Sequence, residues 1–468
     1  MSGTLTVQQA TRRYVGLTAL RWLPVGISIP VTVLLALSRG LTLGQVGAVF
    51  LVHSAVVVLL ELPTGGLADA IGRRPVLVAS GLLHVASCAA YATAESVAGF
   101  VLATALLGTG RALDSGPLQA WYVDAVHLAD PDADVVPGLS RAGVADCLAL
   151  SVGAVLGGLT PALLDGSSTS LLVLPHVAAG ALSLVSVVAV LLLVTPTGPP
   201  RTGSALRAVT DGVAAVPRTV RDALSLAAGD DALRRVLVLS LVCGVCLSTL
   251  ELLGPGLFAE LSGSRTSGSA VFGAVMAVSF LAGAAGSALA PRSRRLARGS
   301  MPCAVAGLTA VSALSLVGVA GSRTVLLAVC AYAGFYLANA ASWPLLHAVL
   351  HSRVGSGGRA TALSASSLAL MLGGGLANVV NPRVVDAGGR GAAFLVAGTA
   401  ALVAAAVAAR LRDEEALLDE PLDDGQDLLG GVVLGDAGRQ GQHAEQLAEP
   451  AGAVAAGEQG RAVRVDPA

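Results

Sequence analysis

The chain has 468 residues, 54% of them hydrophobic and 13% charged, with 57 glycines, a formal net charge of -1 and a mean hydropathy of +0.75. Soluble chains carry about a quarter charged residues, so this composition points to a polytopic membrane protein with the lipid bilayer as its solvent. A net charge near zero leaves no basic face for nucleic acid, and every basic residue is arginine, which excludes a Gly-x4-Gly-Lys phosphate loop and lysine Schiff-base chemistry.

A helix needs about 20 apolar residues to cross about 30 Å of hydrocarbon. That ruler places spans 1 to 6 near 14–37, 41–62, 75–94, 97–119, 142–164 and 171–194. Spans 7 to 12 follow near 236–258, 268–290, 302–320, 324–346, 361–382 and 389–410. The expected fold is an all-α membrane protein of twelve transmembrane helices in two pseudo-symmetric six-helix bundles. The division reads as a first bundle at 1–195, a cytoplasmic linker at 196–235, a second bundle at 236–410 and an acidic cytoplasmic tail at 411–468, the tail expected to be disordered. In the linker, Leu206, Val209, Val213, Val216, Val220 and Leu224 recur at helical steps, which predicts an amphipathic helix on the inner membrane surface, broken at Pro217.

Arginine placement sets orientation. With both termini inside, nineteen arginines fall in inner loops and flanks, against Arg39, Arg265, Arg323, Arg383 and Arg390 outside. A multi-pass protein of the plasma membrane with cytoplasmic termini is therefore expected. The six cysteines all lie in apolar runs, where a thiol behaves as a small hydrophobe; Cys243-x-x-Cys246 is read as packing or, alternatively, as a redox or zinc pair. No catalytic constellation is present, so neither enzymatic activity nor a cofactor or metal is expected.

Between spans 2 and 3 stands Glu61-Leu-Pro63-Thr64-Gly65-Gly66-Leu67-Ala68-Asp69-Ala70-Ile-Gly72-Arg73-Arg74. Gly72 can take the positive φ of a tight reversal, and Asp69 suits the N-terminus of a neighbouring helix. This stretch resembles the signature after the second helix of the major facilitator superfamily, matched at Gly65, Leu67, Ala68, Asp69, Gly72, Arg73 and Arg74 and departing at Ala70. Shifting the sequence by 221 residues lays Gly286 on Gly65 and Arg294-Arg295 on Arg73-Arg74, with Ala290 in place of Asp69; a worn internal repeat is expected. Further on, Ser115-Gly116-x-x-Gln119-Ala120-x-Tyr122-x-Asp124 and Arg359-Ala-Thr361-Ala-Leu-Ser364 are similar to one branch of that family. The resemblance implies an inner gate in which Arg73 pairs with Asp124 and Asp69 meets the start of span 11, and a cavity lined by spans 1, 4, 7 and 10.

Ionisable groups inside spans are costly and therefore candidates for function. They are Arg21, His53, Arg111, Asp114 and Asp146 in the first half and Glu251 in the second, with Asn339, Asn378 and Asn381 as neutral polar groups. Arg111 and Asp114, three residues apart, can share a helix face. They form either a proton-exchanging site or a static ion network. Glu251 opposite the more basic first half suggests an amphoteric solute. Trp22, Trp121 and Trp343 serve either to stack on substrate or to anchor at the membrane interface. The run Gly153-x-x-x-Gly157-Gly158 before Pro161 is partly similar to the Gly-Pro motif of proton-coupled antiporters and is also an ordinary helix-packing pattern. The expected function is secondary transport of a small organic molecule by alternating access, with protons as coupling ion, as an efflux antiporter working as a monomer. Uptake of a nutrient or metabolite, and a sensor that keeps the fold without transport, are the alternatives.

Overall fold

A chain in hydrocarbon must satisfy its backbone hydrogen bonds internally, so apolar spans become helices, and no strand occurs among the described residues. The computed structural model describes residues 5–411 apart from 66, 115, 164–168, 196–203, 205, 206, 208, 215–220, 222–224, 226–228 and 354–358, and describes the backbone alone at 62, 63, 65, 69, 169, 170, 351–353 and 359–361. Most of the expected linker helix, and the tail from 412, lie outside the described residues.

The first half holds α1 (Val7–Ser38), α2 (Leu43–Gly65), α3 (Leu67–Ile71), α4 (Arg73–Thr93), α5 (Val97–Leu113), α6 (Pro117–Ala129), α7 (Val136–Leu163), a 3-10 turn (Thr169–Val173) and α8 (Leu174–Leu193). The second half holds α9 (Asp231–Ser262), α10 (Arg265–Leu296), α11 (Met301–Ala320), α12 (Val325–Arg353) and α13 (Arg359–Ala408). Starts are set by polar caps: Thr6 and Gln9 form a capping box on α1, and Asp230 accepts from the first amides of α9.

Among the described residues, eleven helical runs are long and apolar enough to cross a membrane. The last of these, Ala362–Ala408, has 47 residues, about 70 Å at 1.5 Å per residue and twice what one crossing needs. It breaks at Gly389, whose φ of 78° and ψ of 174° only glycine adopts at low cost. The chain reverses there. Before the break it runs parallel to α9, with Ser240 bonded to Ser366 and Thr249 to Asn381. After it the order inverts, with Cys246 against the Ala397 carbonyl and Arg235 on that of Arg410. Twelve crossings result, so α1 begins and α13 ends on the same face, called here the terminal face.

The two halves are built alike. Arg13, near the start of α1, donates to the Leu193 carbonyl at the end of α8, and Arg235, near the start of α9, donates to that of Arg410 just after α13. Each arginine satisfies a carbonyl orphaned at a helix C-terminus. Large apolar side chains such as Leu102, Leu192, Leu314 and Leu326 are more than half exposed around the rim, as lipid contact requires.

Among the described residues, buried apolar side chains form three large cores and a small cluster of Ile27, Cys88 and Ala179. One, containing Val31, Leu35, Tyr91, Leu250, Phe258 and Phe272, draws on both halves and fills the side away from the termini. At the terminal face there are two separate cores, one of first-half residues around Tyr14, Trp121 and Tyr122 and one of second-half residues around Val236, Val305 and Leu350. The halves are therefore joined at the far face and apart at the terminal face.

Glycines make the far-face junction possible. Added Cβ atoms would strike backbone at Gly153 and Gly157 on the α1 side of α7, and at Gly158 on the α10 side. Gly158 lies against Ser269 and Gly273 of α10, and Ser269 Oγ donates to the Gly158 carbonyl at 3.1 Å. The glycine run in span 5 is thus used in packing on two opposite faces.

Three expectations about elements change. Span 4 does not run through 119: α5 ends at Leu113, Gly116 takes φ 129°, and α6 starts at Pro117. Proline has no amide hydrogen to continue the helix and disfavours the helical conformation in the residue before it. Spans 11 and 12 meet at the break at Gly389, without the separating loop expected between 382 and 389. The 221-residue register also fails structurally, because Arg73 and Arg74 open α4 whereas Arg294 and Arg295 close α10. The second-half reversal is instead made by Arg298 and Gly299, both at positive φ.

Candidate functional site

A cavity of about 450 Å³ lies between the halves. Its walls come from α1, α2, α4, α5, α7, α9, α10 and the first arm of α13, with Trp22, Phe50, Tyr91 and Phe280 as the aromatic surface and His53, His84, Glu251 and Asn378 among the polar groups. Of the spans expected to line it, 1, 4 and 7 do so; span 10, which is α12, contributes no lining residue. Spans 2, 3, 5, 8 and 11 take part instead.

The backbone directs Glu251 into this space. It is exposed on α9, while Leu250 and Leu252 on either side are each 1% exposed. Glu251 makes no hydrogen bond or ion pair among the described residues. Beside it Ser248 donates to Asn378 Oδ1 at 2.8 Å, and Asn381 donates to Thr249 Oγ1 at 3.0 Å. Across the cavity His53 has a buried Nδ1 with no hydrogen-bond partner. Asn339 lies elsewhere, in a crevice of about 30 Å³ within the second half, where it accepts from Cys243 Sγ at 3.1 Å.

A charged cluster adjoins the cavity on the first-half side. Arg21 of α1 forms an ion pair with Asp114, their side chains 14% and 22% exposed. Arg111 does not join this pair across one helix face. Its guanidinium lies 5.4 Å from the centre of the Trp22 ring, a cation–π contact. The cause is the end of α5, where Asp114 occupies the cap position as the chain leaves the helix for Gly116. Arg21, Arg111, Asp114 and His84 share a pocket of about 70 Å³, and both Trp22 and His84 belong to it and to the main cavity.

At the terminal face, Gly65 ends α2, α3 carries Asp69, and Gly72 turns the chain with φ 96° and ψ 155°. Arg73, the first residue of α4, pairs with Asp124 of α6 and donates to the Ala120 carbonyl at 2.7 Å. Arg74 donates to the Leu191 carbonyl near the end of α8. The side chain of Asp69, and those of Arg359 and Thr361 that the resemblance sets near it, lie outside the described residues.

The tryptophans separate by position. Trp22 faces the cavity; Trp121 is 1% exposed and donates to the Thr195 carbonyl; Trp343 packs beside His347. Cys243 and Cys246 are unpaired thiols. Two residues escaped the sequence reading: His84, and His176, which is fully buried and 3.2 Å from Thr32 Oγ1 of the cavity wall. Both are titratable groups in apolar spans, the signal that marked His53.

Twelve crossings in two like halves, with a largely apolar cavity between them that is lined by both and carries a few polar groups, define a secondary transporter. The wider comparisons agree. The chain belongs to the Major Facilitator Superfamily, whose model matches residues 15–377. No curated protein matches its sequence. Among solved structures it is similar to the nucleoside transporter NupG, with a TM-score of 0.68 at 14% identity over 85% of this chain and 98% of that one. A peptide transporter POT bound to sulfate gives 0.67 at 15% identity over 86% and 93%. The human organic anion transporter MFSD10 (TETRAN) gives 0.57 at 18% over 85% and 99%. At these identities the likeness is one of fold.

Proposed function

We propose that the chain exports a small organic solute across the plasma membrane in exchange for protons, working as a monomer by alternating access of its central cavity. The observation that carries this reading is the arrangement of cores: the halves share one at the far face and have separate ones at the terminal face, so the cavity opens toward the termini. The arginine distribution assigns that face to the cytoplasm, which makes this the state in which an exporter loads. The bundles at 1–195 and 236–410 then rock about the far-face junction, with 196–235 as their tether.

The Arg21–Asp114 pair is the proposed proton site. Asp114 accepts a proton only when Arg21 releases it, and the pair adjoins the cavity through Trp22 and His84. Arg73 and Asp124, with Asp69, Gly65, Gly72 and Arg74 around them, are the proposed clasp that steadies the inner ends of the first bundle as it moves. Export over uptake rests on the partial antiporter motif in span 5. The test is a solute screen in proteoliposomes under an imposed pH gradient. An exchanger moves protons against the direction of each transported solute, and Asp114→Asn abolishes the coupling. Coupled flux retained by that variant removes Asp114 from the mechanism, and protons moving with the solute would mean uptake by symport.

A further inference from the structure

The charge facing the cavity selects the solute. Arg21 and Asp114 neutralise each other, and Arg111 lines only the smaller pocket, its guanidinium set against the Trp22 indole. Among the described residues lining the main cavity, Glu251 is the one carboxylic acid, and no arginine stands there to offset it. A carboxylate deep in the protein without an ion-pair partner is a costly arrangement, and a bound organic cation removes that cost.

The rest of the wall fits the remainder of such a molecule. Trp22, Phe50, Tyr91 and Phe280 offer aromatic faces, to which a cation is drawn, and Leu107, Leu150, Leu247, Leu370 and Met371 supply apolar surface. The volume, about 450 Å³, lies within the range of sites for drug-sized ligands. We infer that the cavity binds amphipathic organic monocations, with Glu251 as counter-ion, in preference to the amphoteric solutes that the sequence suggests. This rests on the cavity being the transport site and adds the substrate class to it.

The experiment is equilibrium binding of radiolabelled tetraphenylphosphonium to the purified full-length protein in micelles at fixed pH. Tetraphenylborate, of nearly the same shape and opposite charge, and neutral triphenylphosphine oxide serve as competitors. The cation should bind saturably and both competitors at least tenfold more weakly. Glu251→Gln should weaken cation binding by about ten- to a hundredfold, the range for losing a charged partner, and leave triphenylphosphine oxide unchanged; Glu251→Asp should keep the preference. A monodisperse elution profile shows that each variant is folded. Absent cation binding, equal competition by the borate, or full affinity in Glu251→Gln each overturns the inference. Binding needs no proton gradient, so the two readings fail separately: bound cation without flux counts against export alone, and proton-coupled flux of a neutral or anionic solute without cation binding counts against the cation site alone.

Discussion

Replacing Gly273 by alanine should drive the far face open. A Cβ there would overlap the Ala154 carbonyl oxygen and stand 3.0 Å from Gly158 Cα. Both obstacles are backbone, which cannot rotate aside, so α7 and α10 must separate. Overpacking of this kind costs about 1–3 kcal/mol. Separation also loosens the hydrogen bonds from Ser269 to the Gly158 carbonyl at 3.1 Å and from Ser151 to the Ala277 carbonyl at 3.2 Å, which, weakened rather than broken, together contribute about 1 kcal/mol. The total, about 2–4 kcal/mol, applies only while the halves touch; the gain in helix propensity from Gly to Ala is common to both states and cancels. The ratio of far-closed to far-open molecules should therefore fall roughly 30- to 1,000-fold.

The assay is a pulsed spin-label distance between cysteines placed at Leu163 and Arg265, exposed residues at the far ends of α7 and α10, with the exposed Cys303 and Cys330 changed to serine. Gly273→Ala should shift the distribution to longer distances. Gly307→Ala is the control, since a Cβ at that helical position meets nothing within 4 Å. An unchanged distribution in Gly273→Ala would refute the claim that this contact holds the far face shut.

Three other substitutions probe different parts. Asp114→Asn leaves the Arg21 charge without its partner and should cost about 3 kcal/mol, read as a lowered melting temperature; Arg21→Met with Asp114→Leu should recover stability and stay inactive in proton-driven flux. Gly72→Ala puts a side chain at φ 96° and ψ 155°, a region open to glycine almost alone, and should destabilise by about 1–3 kcal/mol, whereas Gly16→Ala in open helical space should not. Asp124→Asn breaks a pair whose acid is 41% exposed, so the melting temperature should shift by less than about 1 kcal/mol allows while the transport rate falls; equal rates in the two proteins would take the clasp out of the cycle.

Much of the fold was legible because hydrocarbon imposes one rule on every span: enough apolar residues to cross it. The positive φ of Gly72 was legible for a local reason, a polar turn between two long helices. The break before Pro117 was present in the sequence and was missed because hydropathy averages over about twenty residues and smooths across a single Gly-Pro step. The run through Pro382 was missed for the opposite reason, since a proline reads as a stop although packing against α2 and α9 carries the helix past it. Within the site, Glu251 and His53 stood out because ionisable groups are rare in apolar helices. Asn339 carried no comparable signal: a neutral amide is as well satisfied by a thiol inside one bundle as by a solute between two. The contact expected between Arg111 and Asp114 assumed a helix that continues, and α5 stops at the residue before the acid.

That stop also explains why charge lies where it does. The second half uses long helices, α9 and α10 each running 32 residues, and presents a single acid to the cavity. The first half is interrupted between α5 and α6, and two of its ion pairs attach to that interruption: Asp114 ends α5 and meets Arg21, while Asp124 on α6 meets Arg73. A continuous helix would hold those two acids in one fixed relation. The turn at Gly116 separates them, so Asp114 meets α1 beside the cavity while Asp124 meets α4 at the terminal face. On the proposed proton site, protonation of Asp114 would release its hold on Arg21 without touching the Arg73–Asp124 pair, so the charge beside the cavity changes while the terminal-face pair stays in place.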